Sequence, residues 1–145
     1  MADYDLIVWD ERLVTGIDKI DGQHQILINL FNEANTQLTA DNSAEFLEHI
    51  TRDLLSYALY HFETEEQLMQ QYGYVDDAAT HIQQHRSFSA KVVAVRNDIK
   101  AGVLISREDL LSFLNRWLID HIFNTDKRLA DFLLASTEYS AKQGR

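Results

Sequence analysis

No proline interrupts this chain of 145 residues, and three of its five glycines, Gly22, Gly73 and Gly102, fall between segments whose apolar residues recur at helical spacing. Proline breaks helix interiors and glycine is favoured just past a helix end, so the pattern points to long helices separated by brief turns. A first helix is predicted from about Gln23 to Leu38, with His24, Leu27, Phe31, Ala34 and Leu38 on one face. The connector Thr39-Ala-Asp-Asn-Ser43 is rich in turn and cap residues. A second helix is predicted over Ala44 to Tyr72, with the stripe Leu47, Ile50, Leu54, Tyr57, His61, Glu65 and Leu68. The third, Asp76 to Ala101, carries the cleanest stripe: Ala78, His81, His85, Phe88, Val92, Val95 and Ile99. A fourth begins near Ser106, where Ser106-Arg-Glu-Asp109 has capping-box spacing with Asp in place of Glu or Gln. It continues through Leu110, Leu114, Trp117, Leu118, His121, Ile122, Leu129 and Phe132.

Four such helices with short connectors predict an all-α fold, an antiparallel up-down-up-down four-helix bundle with an N-terminal arm. One domain is expected over residues 1–145: an arm to about residue 20, a bundle from about 21 to 135, and a polar, disordered tail from Ser136 to Arg145. Trp9, Leu13 and Ile17 of the arm are expected to cover one side of the bundle. A monomer is expected because the stripes absorb most large apolar residues, with Tyr4 and Tyr139 left as exposed aromatics for a contact.

Charge and composition remove whole classes of function. With 13 Lys and Arg against 23 Asp and Glu, the net charge of -10 repels nucleic-acid phosphates and anionic lipid. The absence of cysteine excludes disulfides and thiolate zinc sites. The N-terminal MADYDLIVWDER lacks the features of a signal peptide, and no apolar run approaches the roughly 20 residues of a membrane span. A soluble, cytoplasmic protein is the expectation.

Five of the six histidines fall on inward stripes, and every predicted helix supplies at least one; His49, four residues after Glu45, is read as half of a solvent-face pair. In an up-down-up-down bundle the start of helix one is level with the end of helix two, the start of helix three and the later part of helix four. His24, His61, Glu65, His81, His85, His121 and Asp126 therefore converge at one level. His61 and Glu65, like His81 and His85, are four apart and project to one side a turn apart. His121 and Asp126 are five apart, roughly 140° on an ideal helix. Either a local π-type widening or a site wide enough to be reached from two sides is required.

Bare buried carboxylates and unpartnered imidazoles are costly, and a multivalent cation among them removes both problems. A closed zinc site needs four ligands, so this donor set implies two metals. Counting the donors against two six-coordinate ions, with both carboxylates and a solvent-derived oxygen bridging, leaves one position open. The imidazole-rich shell favours iron over magnesium or calcium. Phe62, Phe88, Leu118 and Ile122 neighbour these residues in sequence and are predicted to form an apolar pocket that admits dioxygen and keeps water out.

Trp9 with VTGIDKIDGQH ending at His24, HFETEEQLM from His61, HIQQHRSF from His81 and WLIDHIFNTDKRL around His121 and Asp126 closely resemble the hemerythrin family in its bacterial single-domain form, from about Trp9 to Phe132. The resemblance implies reversible dioxygen binding at a non-haem di-iron centre with an oxo or hydroxo bridge. It implies that His81, His85 and His121 bind one iron, His24 and His61 the other, and that Glu65 and Asp126 bridge them. Dioxygen would bind end-on at the iron with fewer ligands, taking an electron from each iron and a proton from the bridge. Two residues depart from the usual pattern: Gln84, where glutamate is frequent, and Val75, where proline is. Neither is expected to touch a ligand.

The competing readings are a di-iron oxidase or peroxidase and a nitric-oxide-binding protein. Carboxylate-rich di-iron enzymes use Glu-x-x-His pairs, and the chain contains none. Slow peroxidase or oxidase side activity is compatible with the site. A sensing role would require a separate, unidentified protein partner, since the chain ends soon after helix four.

Overall fold

The computed structural model describes residues 7–37 and 44–142, and these contain helices and turns with no strand. A 3-10 turn, Glu11–Leu13, precedes α1 (Asp18–Gln37), α2 (Ala44–Tyr72), α3 (Ala78–Lys100) and α4 (Arg107–Asp120). A π-helical turn, His121–Asp126, then leads without interruption into α5 (Lys127–Ala135), with a short α6 (Thr137–Lys142) beyond it. The rod from α4 through α5 is the fourth arm of an antiparallel bundle, in which α1 packs on α2 and α4, and α2 on α3.

Helix ends obey the local chemistry. Gly73, directly after α2, and Gly102, two residues past the end of α3, take the left-handed conformation, with φ +73 and +80. This lets Tyr74 N donate to Met69 O (2.9 Å) and Val103 N to Asp98 O (2.9 Å), closing two helix carbonyls. Ser106 caps α4 by accepting from Asp109 N at 3.2 Å. Gly22, by contrast, lies inside α1, which starts at Asp18 rather than Gln23. The Asp21 carboxylate accepts from Thr15 N (2.9 Å), Thr15 Oγ1 (2.7 Å) and Gly16 N (3.2 Å), fastening the entering chain to the first turn. Those bonds offset the roughly 1 kcal/mol that a helical glycine costs. The predicted connector from Thr39 to Ser43, Leu38 and Tyr4 lie outside the described residues.

Two apolar clusters form the core. The larger contains Leu27, Phe31, Leu54, Phe62, Phe88, Val92, Leu114, Leu118 and Ile122; the smaller contains Ile17, Ile20, Met69, Tyr74, Leu129, Leu133 and Tyr139. Between them runs a buried polar layer containing every inward histidine. Leu13 is buried in the larger cluster with Trp9 packed against it, and Ile17 is buried in the smaller, so the arm seals both.

The tail departs from its expected disorder over residues 137–142. Tyr139 is 7% exposed, against the expected surface aromatic. It packs edge-on against Tyr72 with centroids 5.3 Å apart, and Ser136 Oγ accepts from Tyr139 N at 3.2 Å. One buried aromatic and a serine cap order an otherwise polar segment. Phe132, expected inward, is 36% exposed, while Leu133 is fully buried. The extra residue in the π turn shifts the inward phase of α5 by one position. His49 is exposed and pairs with Asp53 (3.3 Å) rather than Glu45.

Candidate metal centre

His61 and Glu65 project from adjacent turns of α2, and His81 and His85 from adjacent turns of α3, as helical geometry requires. His24 comes from α1. His121 and Asp126 occupy the first and last positions of the π turn, which brings both inward despite their spacing of five. All seven residues are at most 2% exposed.

Two carboxylates organise the five imidazoles. Glu65 Oε1 lies 3.1 Å from His85 Nε2, 3.3 Å from His61 Nε2, 3.4 Å from His81 Nε2 and 3.6 Å from His121 Nε2. Asp126 Oδ2 meets His24 Nε2 at 2.5 Å and His61 Nε2 at 3.5 Å; its Oδ1 meets His121 Nε2 at 2.8 Å and His81 Nε2 at 2.9 Å. The donor atoms fall into two groups able to hold a metal ion: His81, His85, His121, Glu65 and Asp126, and His24, His61, Glu65 and Asp126. Within each group the atoms lie inside 4.8 Å of one another.

The fit to metal has a direct test in hydrogen bonding. Glu65 Oε2, Asp126 Oδ1, His61 Nε2 and His121 Nε2 are buried without a properly directed hydrogen bond. Buried polar atoms are almost always satisfied, so a cluster of inward-facing orphans is what a cation would complete. Protons are the alternative counterions. Burial and the charge of Asp126 act to raise the Glu65 carboxyl, yet His61, His121 and His81 outweigh them and hold it below the ordinary range. Burial likewise opposes ionisation of Asp126, and His121 and His24 overcome it. Burial disfavours protonated His121, but Asp126 and Glu65 raise it from 6.5 to about 9, and they raise His81 in the same direction.

These shifts make the metal-free protein's stability depend on pH. A histidine whose folded value is raised stabilises the fold fully below its unfolded value, near 6.5, and that stabilisation disappears as pH rises through about 9. The lowered carboxylates contribute above their ordinary values of 4.5 and 3.8, and that contribution disappears as pH falls below them. Thermal unfolding of the metal-free chain should therefore show greatest stability between about pH 5 and 6.5, with an alkaline loss on the order of 3 kcal/mol from His121. A metal that replaces these protons should flatten the alkaline fall. Equal melting temperatures at pH 6 and 9 without metal would contradict this balance.

Outside the donors, the structure supplies partners that hydrophobic periodicity does not reveal. His61 Nδ1 meets Gln23 Oε1 at 2.6 Å, and Gln23 is held by Thr64 Oγ1 at 3.1 Å. His85 Nδ1 meets Glu66 Oε2 at 2.9 Å. His121 Nδ1 meets Gln84 Oε1 at 2.9 Å, which corrects the expectation that Gln84 touches no ligand candidate. The signal was positional: Gln23 precedes His24, Glu66 comes directly after Glu65, and Gln84 precedes His85. Val75 is 75% exposed in the turn after α2. Phe62 stacks on His85 with centroids 4.0 Å apart and meets Phe88 edge-on at 5.7 Å. Trp117, absent from the predicted pocket, stacks on His121 at 4.3 Å. Leu118 and Ile122 are each 2% exposed in the larger cluster.

The hemerythrin HHE cation binding domain matches residues 15–133, a span that contains all seven candidate donors. The chain belongs to the hemerythrin family. It is 36% identical to a bacteriohemerythrin of Stenotrophomonas maltophilia, over 95% of this chain and 88% of that protein. Identity to Myohemerythrin-1 of Phascolopsis gouldii is 30%, over 82% and 87% of the two chains. A crystal structure of wild-type hemerythrin superposes with a TM-score of 0.80 at 26% identity, covering 90% of this chain and all of that one. Hemerythrin membership and the buried His/Glu/Asp cluster together support a non-haem iron protein of the oxygen-binding type. No helix among the described residues is long and apolar enough to cross a membrane.

Proposed function

We propose that this chain binds dioxygen reversibly at a di-iron centre, for storage, delivery or sensing. In this reading His81, His85 and His121 would hold one iron, His24 and His61 the other, and Glu65 and Asp126, present in both donor groups, would serve both, alongside an oxo or hydroxo group from solvent. The observation that carries it is the sharing: the two donor groups have Glu65 and Asp126 in common and no other residue. Independent metal sites have no reason to share both carboxylates. The unequal division of imidazoles leaves the second iron with fewer protein donors, and hence with room for one small ligand. When bound, a pair of ferrous ions supplies that ligand with an open coordination position and two electrons.

The rest is the work of the chain. Gln23 accepts the Nδ1 proton of His61 and so keeps Nε2 facing inward, while Thr64 fixes the amide. Phe62, Phe88, Leu118 and Ile122 are the proposed oxygen pocket; all four are buried, and they would exclude water from a bound gas. Leu118→Ala is expected to accelerate autoxidation several-fold by admitting water, as monitored by the visible spectrum of the oxygenated protein. An unchanged rate would remove Leu118 from the pocket.

The deciding experiment loads the protein anaerobically with ferrous iron, counts iron per chain, and tracks the visible spectrum through cycles of air and deoxygenation. Two irons per chain and a charge-transfer band that appears with dioxygen and vanishes on its removal are expected. Irreversible oxidation with release of peroxide or product would move the assignment to a di-iron enzyme.

A further inference from the structure

Gln84 lies on α3, one residue before His85, yet its side chain reaches across to the π turn. Its single carbonyl oxygen is within 2.9 Å of His121 Nδ1 and 2.8 Å of Thr125 Oγ1. Those two residues sit four apart within the six-residue turn. The orientation of the amide is settled by its surroundings. His121 directs Nε2 at Asp126 Oδ1, so Nδ1 is its outward nitrogen and must donate. A carbonyl oxygen has two lone pairs and satisfies both neighbours at once, whereas the NH2 end would leave the histidine proton without an acceptor.

We propose that Gln84 is a positioning residue: its carbonyl ties His121 to Thr125 across the π turn, holding the turn in register and limiting how strongly His121 donates to a metal at Nε2. The proposal rests on the reading of His121 as a ligand but not on dioxygen as the gas. π turns are rare because a sixth residue must be accommodated where an α-helix has five, and they persist where neighbouring structure holds them. Here the strut comes from a different helix and grips the turn at its first and fifth residues. The fourth arm of the bundle is thereby locked to α3 at the level of the metal layer.

The chemistry of the acceptor matters as much as its position. An acceptor on the outer nitrogen of a ligating imidazole raises its basicity, and a carboxylate does so more than a neutral amide. His85 has a carboxylate acceptor in Glu66, but that group is 38% exposed and stays solvated. Gln84 is half-buried beside a layer that already contains Glu65 and Asp126. A third negative charge there would be poorly solvated and would draw the Nδ1 proton toward itself. The amide keeps His121 a moderate donor, which favours retention of the ferrous state over permanent oxidation.

The test compares Gln84→Ala, Gln84→Glu and Thr125→Val with the wild-type chain, first without metal. In 15N-histidine spectra of the metal-free protein, the Nδ1 proton of His121 should exchange slowly in wild type and rapidly in Gln84→Ala. Affinity for Co(II), measured by chelator competition, should fall roughly 10- to 100-fold in Gln84→Ala. After iron loading, Gln84→Glu should retain metal but show a lower ferric/ferrous midpoint potential and faster autoxidation than wild type. Thr125→Val removes one anchor and keeps the other; it should weaken Co(II) binding less than Gln84→Ala, and it carries the affinity test if that variant does not fold. Unchanged Co(II) affinity in Gln84→Ala and Thr125→Val, or an unchanged potential in Gln84→Glu, would overturn the proposal. If the wild type fails to bind dioxygen reversibly, the proton-exchange and Co(II) results still decide the role of Gln84.

Discussion

On the proposed di-iron reading, Glu65→Ala should reduce the iron content from two per chain to one or fewer. Glu65 Oε1 is within 3.6 Å of Nε2 on four different histidines, and it belongs to both donor groups. Removing it would withdraw a negative charge from each proposed metal position and one of the two carboxylates shared between them. His24 and His61 would be left with Asp126 alone, three donors instead of four, and that one remaining carboxylate would have to serve both positions. Glu63→Ala, an exposed position on the same helix, serves as the control and should retain two irons. Iron counted after anaerobic loading and desalting distinguishes the two variants. Two tightly held irons in Glu65→Ala would show that Glu65 is not a bridge.

The core of this bundle was legible because apolar residues and histidines obey one period. All seven positions assigned to the stripe of α3 are in or against the core, since nothing interrupts the 3.6-residue repeat between Ala78 and Ile99. The convergence of seven polar residues was a consequence of topology, because antiparallel helices with short turns bring fixed positions level. The features that escaped were of a different kind. The start of α1 depends on the Asp21 side chain closing back on Thr15 and Gly16, and a glycine-based rule missed it. Ordering of residues 137–142 depends on one tyrosine finding a gap between helices. The contacts of Gln23, Glu66 and Gln84 depend on which rotamer reaches a neighbouring helix, and hydrophobic periodicity carries no information about polar residues at a stripe's edge.

Those edge residues bear directly on the chemistry. A set of histidines and carboxylates is shared by sites with very different tasks, and the acceptors behind the histidines change how strongly each one donates. This chain sets two amides and one partly exposed carboxylate behind its imidazoles. The aromatic stacks of Phe62 on His85 and Trp117 on His121 further fix two ring planes on the side facing the larger cluster. The candidate histidines and Glu65 are thus legible in the stripes, whereas Asp126 depends on the π turn and the outer partners depend on the residues flanking the stripes.

Inserting an alanine between Asn124 and Thr125 is expected to abolish metal binding at the three-histidine group and to destabilise the fold by several kcal/mol, whereas deleting Asn124 should leave the site standing. Each added helical residue turns the downstream chain by roughly 100°. The π turn already absorbs one residue beyond the four-residue spacing that would align His121 with Asp126 on a regular helix. Deletion of exposed Asn124 restores that spacing, so Asp126, Leu129 and Leu133 keep their inward phase at the cost of the Asn124–Asp120 bond. Insertion exceeds the capacity of the turn and rotates all three outward. Exposing Leu129 and Leu133, both now fully buried, costs about 1.5–3 kcal/mol apiece. Metal stoichiometry and melting temperature of the two variants separate phase from turn geometry. Loss of metal in both would mean that the π turn itself is required, through the particular angle it gives Asp126 between the two groups.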